Sequence, residues 1–166
     1  MAEILLINTA DLKKHSSLSG DTDDDKIKQF IKIAQDVHVE PYLGTDLFDR
    51  LKNGVDNDDL TVNENALINN YVKWMTIHFS LVEVLGHIGY SVSNNGVSKR
   101  INENSEGVDK SEVDSLIERH RQIALSYTRK FISYMCYNDN LFPEYDSNTN
   151  EDINPSKDAN FHGWVL

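Results

Sequence analysis

The side chains that could do chemistry are six histidines and 27 acids, and their spacing decides what they could bind. Zinc hydrolases carry two histidines one helical turn apart with an acid between them, as in HExxH, or use a cysteine cluster. His78 and His87 are nine positions apart, which places them about half a turn out of register on a helix. Cys136 is the single cysteine. The sequence therefore predicts no metal site.

The acidic run from Asp21 to Asp25 resembles the start of a calcium-binding loop. Such a loop needs a glycine at its sixth position and a bidentate glutamate at its twelfth. This chain has Lys26 and Lys32 at those two positions. The spacing excludes a calcium loop of this type.

Nucleotide-binding and hydrolase motifs are missing as well. The sequence contains no GxGxxG, GxxxxGK[ST] or GxSxG, and the segment Gly86-His87-Ile88-Gly89 matches none of them. Serines and histidines are scattered without the local pattern of a nucleophile and its base. We predict no catalytic residue, no cofactor and no enzyme activity, and keep an unrecognised hydrolase only as a remote alternative.

The charge balance of the chain indicates which classes of partner the protein can bind. Sixteen basic against 27 acidic side chains give a net charge of -11 and a pI near 4.8. Proteins that grip nucleic acid cluster Lys and Arg against the phosphates, so this balance argues against that class. The most apolar window, residues 74–90, is interrupted by polar side chains and predicts a core helix without membrane contact. Cys136 is predicted to be a small buried hydrophobic residue in a reducing compartment.

Hydrophobic periodicity predicts a mainly α fold, a helical bundle with a long central helix and a long C-terminal helix. The first helix is expected over residues 24–39 and is stopped by Pro41. Gly44 opens a short helix that closes at Gly54. The central helix spans about 62–90 and is apolar on two faces. The last helix ends at about Tyr137.

One β-hairpin is expected between the two long helices, at residues 90–102. Asn95-Gly96 lies between short alternating runs, a strong signal for a two-residue turn. Pairing about that turn places Val92 opposite Lys99 and Tyr90 opposite Ile101.

The ends of the chain are predicted to be extended arms. The expected organisation is an N-terminal arm and loop at 1–22, a helical domain at 23–137 that contains the hairpin, and an acidic C-terminal arm at 138–166. Whether residues 4–7 form a strand stays open. The C-terminal arm is polar in its middle, yet it finishes on large apolar side chains that need a docking surface: Phe161, Trp164, Val165 and Leu166.

A row of basic residues lies on the polar side of the last helix, at Arg119, Arg121, Arg129 and Lys130. One interpretation is a solvated face, or ion pairs with the protein's own acids. The other is a contact with the acidic face of a neighbour. With Val92, Val97 and Ile101 of the hairpin and the apolar end of the arm, these residues form the predicted partner interface.

Several segments resemble head-to-tail connector (adaptor) proteins of tailed bacteriophages. IKIAQDVHVEPYLGTDLFDRLKNG is similar to their first helices. NNGVSKRINENSEGVDKSEVDSLIERHRQIALSYTRKFISYM, the following LFPEY and the opening ILLINTADLKK resemble the version found in phages of Bacteroidetes, including the crAss-like group. The resemblance spans residues 3–145.

The resemblance implies a structural virion protein without enzymatic activity. Such a subunit forms a ring, usually of about twelve copies, below the portal vertex at the head-tail neck. The ring extends the channel through which genomic DNA passes without specific binding, and it docks the next neck or tail protein. The implied partners are further copies of the chain, the portal protein and that next ring, assembled in the host cytoplasm.

A second hypothesis is a small helical DNA-binding, packaging or regulatory protein. It would bind nucleic acid through the basic residues of the last helix together with Lys99 and Arg100. The net charge and the lack of a helix-turn-helix pattern weigh against it.

Overall fold

A computed structural model describes residues 3–18, 20, 22–87, 90–93, 96–99, 109–148 and 152–159. Within these ranges the chain is mainly helical, as the periodicity predicts. None of the described helices is both long and apolar enough to cross a membrane.

The N-terminal segment is part of the core. Helix α1 (Thr9–Lys14) begins where the Asn8 side chain accepts a hydrogen bond from the Asp11 amide, at 2.7 Å. Leu6, Ile7 and Leu12 are buried. The prediction of an extended arm over residues 1–22 is therefore wrong for this segment, because its apolar side chains are buried against the helices.

The next helical run passes through the position where a proline was expected to stop it. Helix α2 (Asp24–Ile33) continues into a π-helical segment, Ala34–Val39, and then into α3 (Glu40–Leu43). Pro41 lies in the first turn of α3, where its missing N–H costs little. The run ends instead at Gly44, whose φ of 76° is left-handed.

Helix α4 (Thr45–Asn57) buries Leu47, Phe48 and Leu51, in agreement with the predicted inward face. Its predicted end at Gly54 is wrong. The helix continues to Asn57 and ends at Asp58, which adopts a left-handed φ of 54°. Gly54 serves packing, since a Cβ there would lie 2.5 Å from the Leu60 side chain.

The central helical run comprises α5 (Val62–Leu67), a second π-helical segment, Ile68–Val72, and α6 (Lys73–His87). It starts with a capping box in which Thr61 and Glu64 satisfy each other's backbone amides. Polar Thr76 and Ser80 are fully buried and donate to carbonyls one turn earlier. This run packs against several neighbours and forms the pillar of the fold.

The fold prediction is wrong in the part it assigned to a β-hairpin, because both the register and the position of the turn differ from the predicted ones. Two four-residue strands, β1 (Tyr90–Ser93) and β2 (Gly96–Lys99), pair with Tyr90 opposite Lys99 and Val92 opposite Val97. Gly96, expected in the turn, is itself paired with Ser93. Within the described residues the ladder joins no further strand.

Helix α7 (Lys110–Asn138) packs along α6, and a 3₁₀ turn, Asp139–Leu141, leads into α8 (Pro143–Ser147). Phe142 and Tyr145 are buried in the main core with Phe131 of α7. The chain beyond residue 138 therefore begins as folded structure, and the prediction of an extended arm from this point is wrong.

Residues 152–159 return to the start of α4. The Thr45 amide donates to the Ile153 carbonyl, and the Ile153 amide donates to the Thr45 hydroxyl, both at 3.1 Å. The Ser156 amide donates to the Pro41 carbonyl at 2.8 Å. Gly44 is the N-cap of α4, and it has no side chain that could accept a hydrogen bond from the first amides of the helix. The tail supplies that acceptor instead. A polar segment is thus ordered by backbone hydrogen bonds, which composition does not reveal.

Candidate functional site

The basic residues of α7 do not form one row. At about 100° per residue, Arg119 and Lys130 lie nearly in line, Arg129 lies about 80° to one side, and Arg121 points about 160° away. Arg121 donates to Glu118 at 2.6 Å. The predicted set therefore divides: Arg121 pairs with the protein's own acid, while Arg119, Arg129 and Lys130 are exposed on the outer side of the helix.

Two of these cations line a surface groove of about 570 Å³ that follows the second half of α7. We call it the tyrosine groove. Besides Arg129 and Lys130, its walls consist of tyrosines and small polar residues: Tyr71, Ser126, Ser133, Tyr134, Tyr137 and Asn138.

The tyrosines of the groove differ in how firmly they are held. Tyr71, from the second π-helical segment, stacks on Tyr134 with ring centres 4.9 Å apart. Tyr134 in turn meets the edge of buried Phe142 at 6.4 Å. Tyr137 is 86% exposed. The groove thus combines a fixed aromatic wall with one large side chain that presents its ring to solvent.

The two cations of the groove have no acidic ion-pair partner in the part of the chain that the structure describes. Within the described residues, neither Arg129 nor Lys130 forms an ion pair. Lys130 places its Nζ 5.1 Å from the ring centre of Tyr127. Burial raises the pKa of the Tyr42 phenol, and the nearby Arg129 charge acts in the opposite direction. In a protein of net charge -11, these two cations mark a surface suited to an acidic or aromatic partner.

A second notable feature is a series of stacked rings between α6 and α7. Trp74 and Tyr127 stack at 5.9 Å, Tyr127 and His78 at 5.9 Å, and His78 and His120 at 5.4 Å. The Nδ1 atoms of His78 and His120 are 3.1 Å apart. Burial, and secondarily the His120 charge, lowers the pKa of His78 to about 4. The His78 ring is therefore neutral at physiological pH.

Neither the ring series nor its surroundings form a recognisable catalytic or metal site. In the described part of the chain, no group of three or more His, Cys, Asp or Glu is placed to hold a metal ion. His38 and Glu83 are in contact at 2.7 Å, and this hydrogen bond lowers the pKa of Glu83. That pair joins the first π-helical segment to α6.

Comparison with known proteins gives a family but no function. The model of a family of unknown function, DUF6712, matches residues 39–155. The chain belongs to the DUF6712 family. No curated protein and no solved structure matches it.

The matched region of this DUF6712 member runs from the end of the first π-helical segment to the tail that caps α4, and it contains the whole tyrosine groove. Of the predicted interface, Ile101, Phe161, Trp164, Val165 and Leu166 lie outside the described residues, and the side chains of Val92 and Val97 are also outside them. Cys136, predicted to be buried, is exposed.

Sequence reasoning overlooked Tyr71, Tyr134 and Tyr137. Tyr134 and Tyr137 were recognisable as neighbours one helical turn apart, beside two cations. Tyr71 was not, because it comes from another helical run.

Proposed function

We propose that the chain is a structural subunit of a phage head-to-tail connector, which assembles with further copies into a ring on the portal. The resemblance over residues 3–145 motivates this proposal. The observation that carries it best is the tyrosine groove, because it is an exposed aromatic and basic surface on an otherwise acidic protein.

The chemistry of the groove is that of a protein interface. Interface centres are enriched in tyrosine and arginine, and their strongest contacts come from these residues. The ring of Tyr137 is exposed, so it contributes no buried area to the stability of the fold. Tyr71 and Tyr134 are stacked on each other and therefore lose little conformational entropy when a partner binds. The acidic remainder of the protein suits a channel wall, since it repels the DNA backbone.

Ring formation needs two different surfaces on each copy. A head-to-tail contact joins one patch to a second patch on the next copy, and the ring closes when the rotation does. The basic tyrosine groove and the acidic remainder supply such a pair of opposite charge.

Native mass spectrometry of the chain mixed with its portal protein tests the proposal. We expect a closed ring on the portal, and at least a tenfold loss of association for the double variant Arg129→Gln, Lys130→Gln. The double variant Lys26→Gln, Lys110→Gln removes the same charge from exposed positions away from the groove and should assemble normally. A tight dimer that ignores the portal would refute the proposal.

The DNA-binding alternative has one observation in its favour, the shared outer side of Arg119, Arg129 and Lys130. A salt titration of DNA binding separates the two functions. A DNA-binding protein that neutralises three phosphates loses affinity steeply as salt rises, with a log–log slope of about -3. A connector subunit binds DNA weakly at every salt concentration.

A further inference from the structure

We propose that the tyrosine groove is a docking site for the chain's own segment 161–166, held in the free subunit by Phe161 and Trp164. This inference stands apart from the connector function, because it concerns the isolated chain. Three lines of argument support it: where the described tail ends, how far the remaining residues reach, and what the groove can bind.

The tail is held close to the groove. Ser156 is hydrogen-bonded to Pro41, and Tyr42, the next residue, is close enough to Arg129 to sense its charge. Arg129 lines the groove. Three residues after Ser156, Ala159 packs against the main hydrophobic core, and Tyr71 and Tyr134 of the groove pack against the same core. The last described residues and the groove are thus built on one core.

The remaining residues are long enough to fill it. The groove follows α7 from Ser126 to Asn138, a rise of about 18 Å at 1.5 Å per residue. Residues 160–166 span up to about 23 Å when extended. The segment therefore matches the groove in length, and docking it leaves the hydrogen bonds that hold residues 152–156 in place.

The groove matches the side chains that the segment brings. Tyrosine rings favour stacked or edge-on contacts with another aromatic ring. Arg129 and Lys130 favour the face of an indole, the best cation–π partner among the side chains. Trp164 satisfies both preferences, and Phe161 lies three residues before it.

The tether makes the chain's own segment the preferred occupant. A segment linked by a few residues acts at an effective concentration in the millimolar range, whereas a neighbouring copy in dilute solution competes at micromolar concentration. A second copy replaces it only when assembly raises the local concentration.

Fluorine NMR of the full chain labelled with 5-fluorotryptophan tests this inference, because the protein has only two tryptophans, Trp74 and Trp164. The variant Trp164→Phe assigns the two signals. We expect the Trp164 signal to differ from that of the peptide ANFHGWVL and to stay constant from about 20 to about 500 µM protein, concentrations chosen to lie about fivefold either side of 100 µM.

Tyr137→Ser should reduce the ratio of docked to released segment roughly tenfold, and Arg129→Gln with Lys130→Gln should act in the same direction. Val62→Ser is the matched control, since Val62 is also 86% exposed but lies on α5. The Trp74 signal reports the fold and should not move in Tyr137→Ser or Val62→Ser. A Trp164 signal identical to the peptide overturns the inference. So does release on dilution, which would assign the groove to a second copy.

Discussion

Acidification should weaken the packing of α7 against α6 through the paired histidines His78 and His120. Their Nδ1 atoms are 3.1 Å apart, so one nitrogen must carry a proton and donate while the other accepts. Protonating the accepting ring turns the contact into two opposed donors. Burial lowers the pKa of His78 to about 4, with a smaller effect from His120. Burial also lowers the pKa of His120, and the Arg119 charge adds to it.

The sign and size of the effect follow from His78. A histidine whose pKa falls on folding binds more protons in the unfolded chain, so stability is lost as the pH drops below its unfolded value of about 6.5. With a folded pKa of about 4, the loss is about 2 kcal/mol at pH 5 and approaches about 3.4 kcal/mol below pH 4. His120 contributes in the same direction.

Urea unfolding at pH 7.5 and pH 5.0 measures this loss, for the unaltered chain and for His78→Gln, which cannot be protonated. Between the two pH values, the free energy of unfolding should fall by about 2 kcal/mol more in the unaltered chain than in the variant. His87→Gln, an exposed position on the same helix, should behave like the unaltered chain. The comparison cancels the common effect of titrating many acids. Equal pH dependence in the unaltered chain and His78→Gln would refute the reasoning.

Two further substitutions test the fold where the tail meets α4. Gly44→Ala should cost about 1–3 kcal/mol in urea unfolding, because its φ of 76° is unfavourable for alanine and the new Cβ would lie 2.7 Å from the Pro155 ring; a neutral result would mean that the tail moves aside freely. Glu40→Gln should raise the melting temperature at pH 7. Burial, and then Asp36, Asp49 and Asp152, raise the pKa of Glu40, so its charge opposes folding at neutral pH. The gain should vanish near pH 4, where Glu40 is protonated in both states; a gain that persists there would point to a cause other than charge.

The sequence predicts the long helices because each carries an apolar face of helical period. It does not predict the π-helical segments at 34–39 and 68–72, since a single widened turn barely changes that period. The error at Pro41 has a related cause. A proline ends a helix only at a position where a backbone N–H is needed for a helical hydrogen bond. Here Pro41 occupies the first turn of α3, directly after the π-helical segment.

The tail shows where composition misleads. Its acidic, asparagine-rich middle cannot form a core, which is what the prediction of an extended arm depended on. Order comes instead from backbone groups of Ile153 and Ser156, which bond to Thr45 and Pro41. Such pairing between residues more than a hundred positions apart leaves no trace in local patterns.

The candidate site was half visible in the sequence. Arg129 and Lys130 stand out as cations in an acidic protein, and their role as an interface remains a prediction. Grouping them with Arg121 ignored the helical angle, which places Arg121 on the side of Glu118. The aromatic wall could not be foreseen, because Tyr71 reaches Tyr134 only through the packing of two separate helical runs.

The tyrosine groove and the folded part of the tail are connected through aromatic contacts, and these contacts affect how the groove binds an occupant. Tyr134 rests its ring against Phe142, and Phe131 on the inner side of α7 meets the edge of Tyr145 at 6.2 Å. The residues that follow α7 therefore support the buried side of the helix, while Tyr137 is exposed to solvent. A surface held in this way is preorganised, so an aromatic occupant gains affinity without ordering the wall it binds. The same contacts predict that substituting the buried Phe142 will change the occupancy of the groove, although Phe142 does not line it.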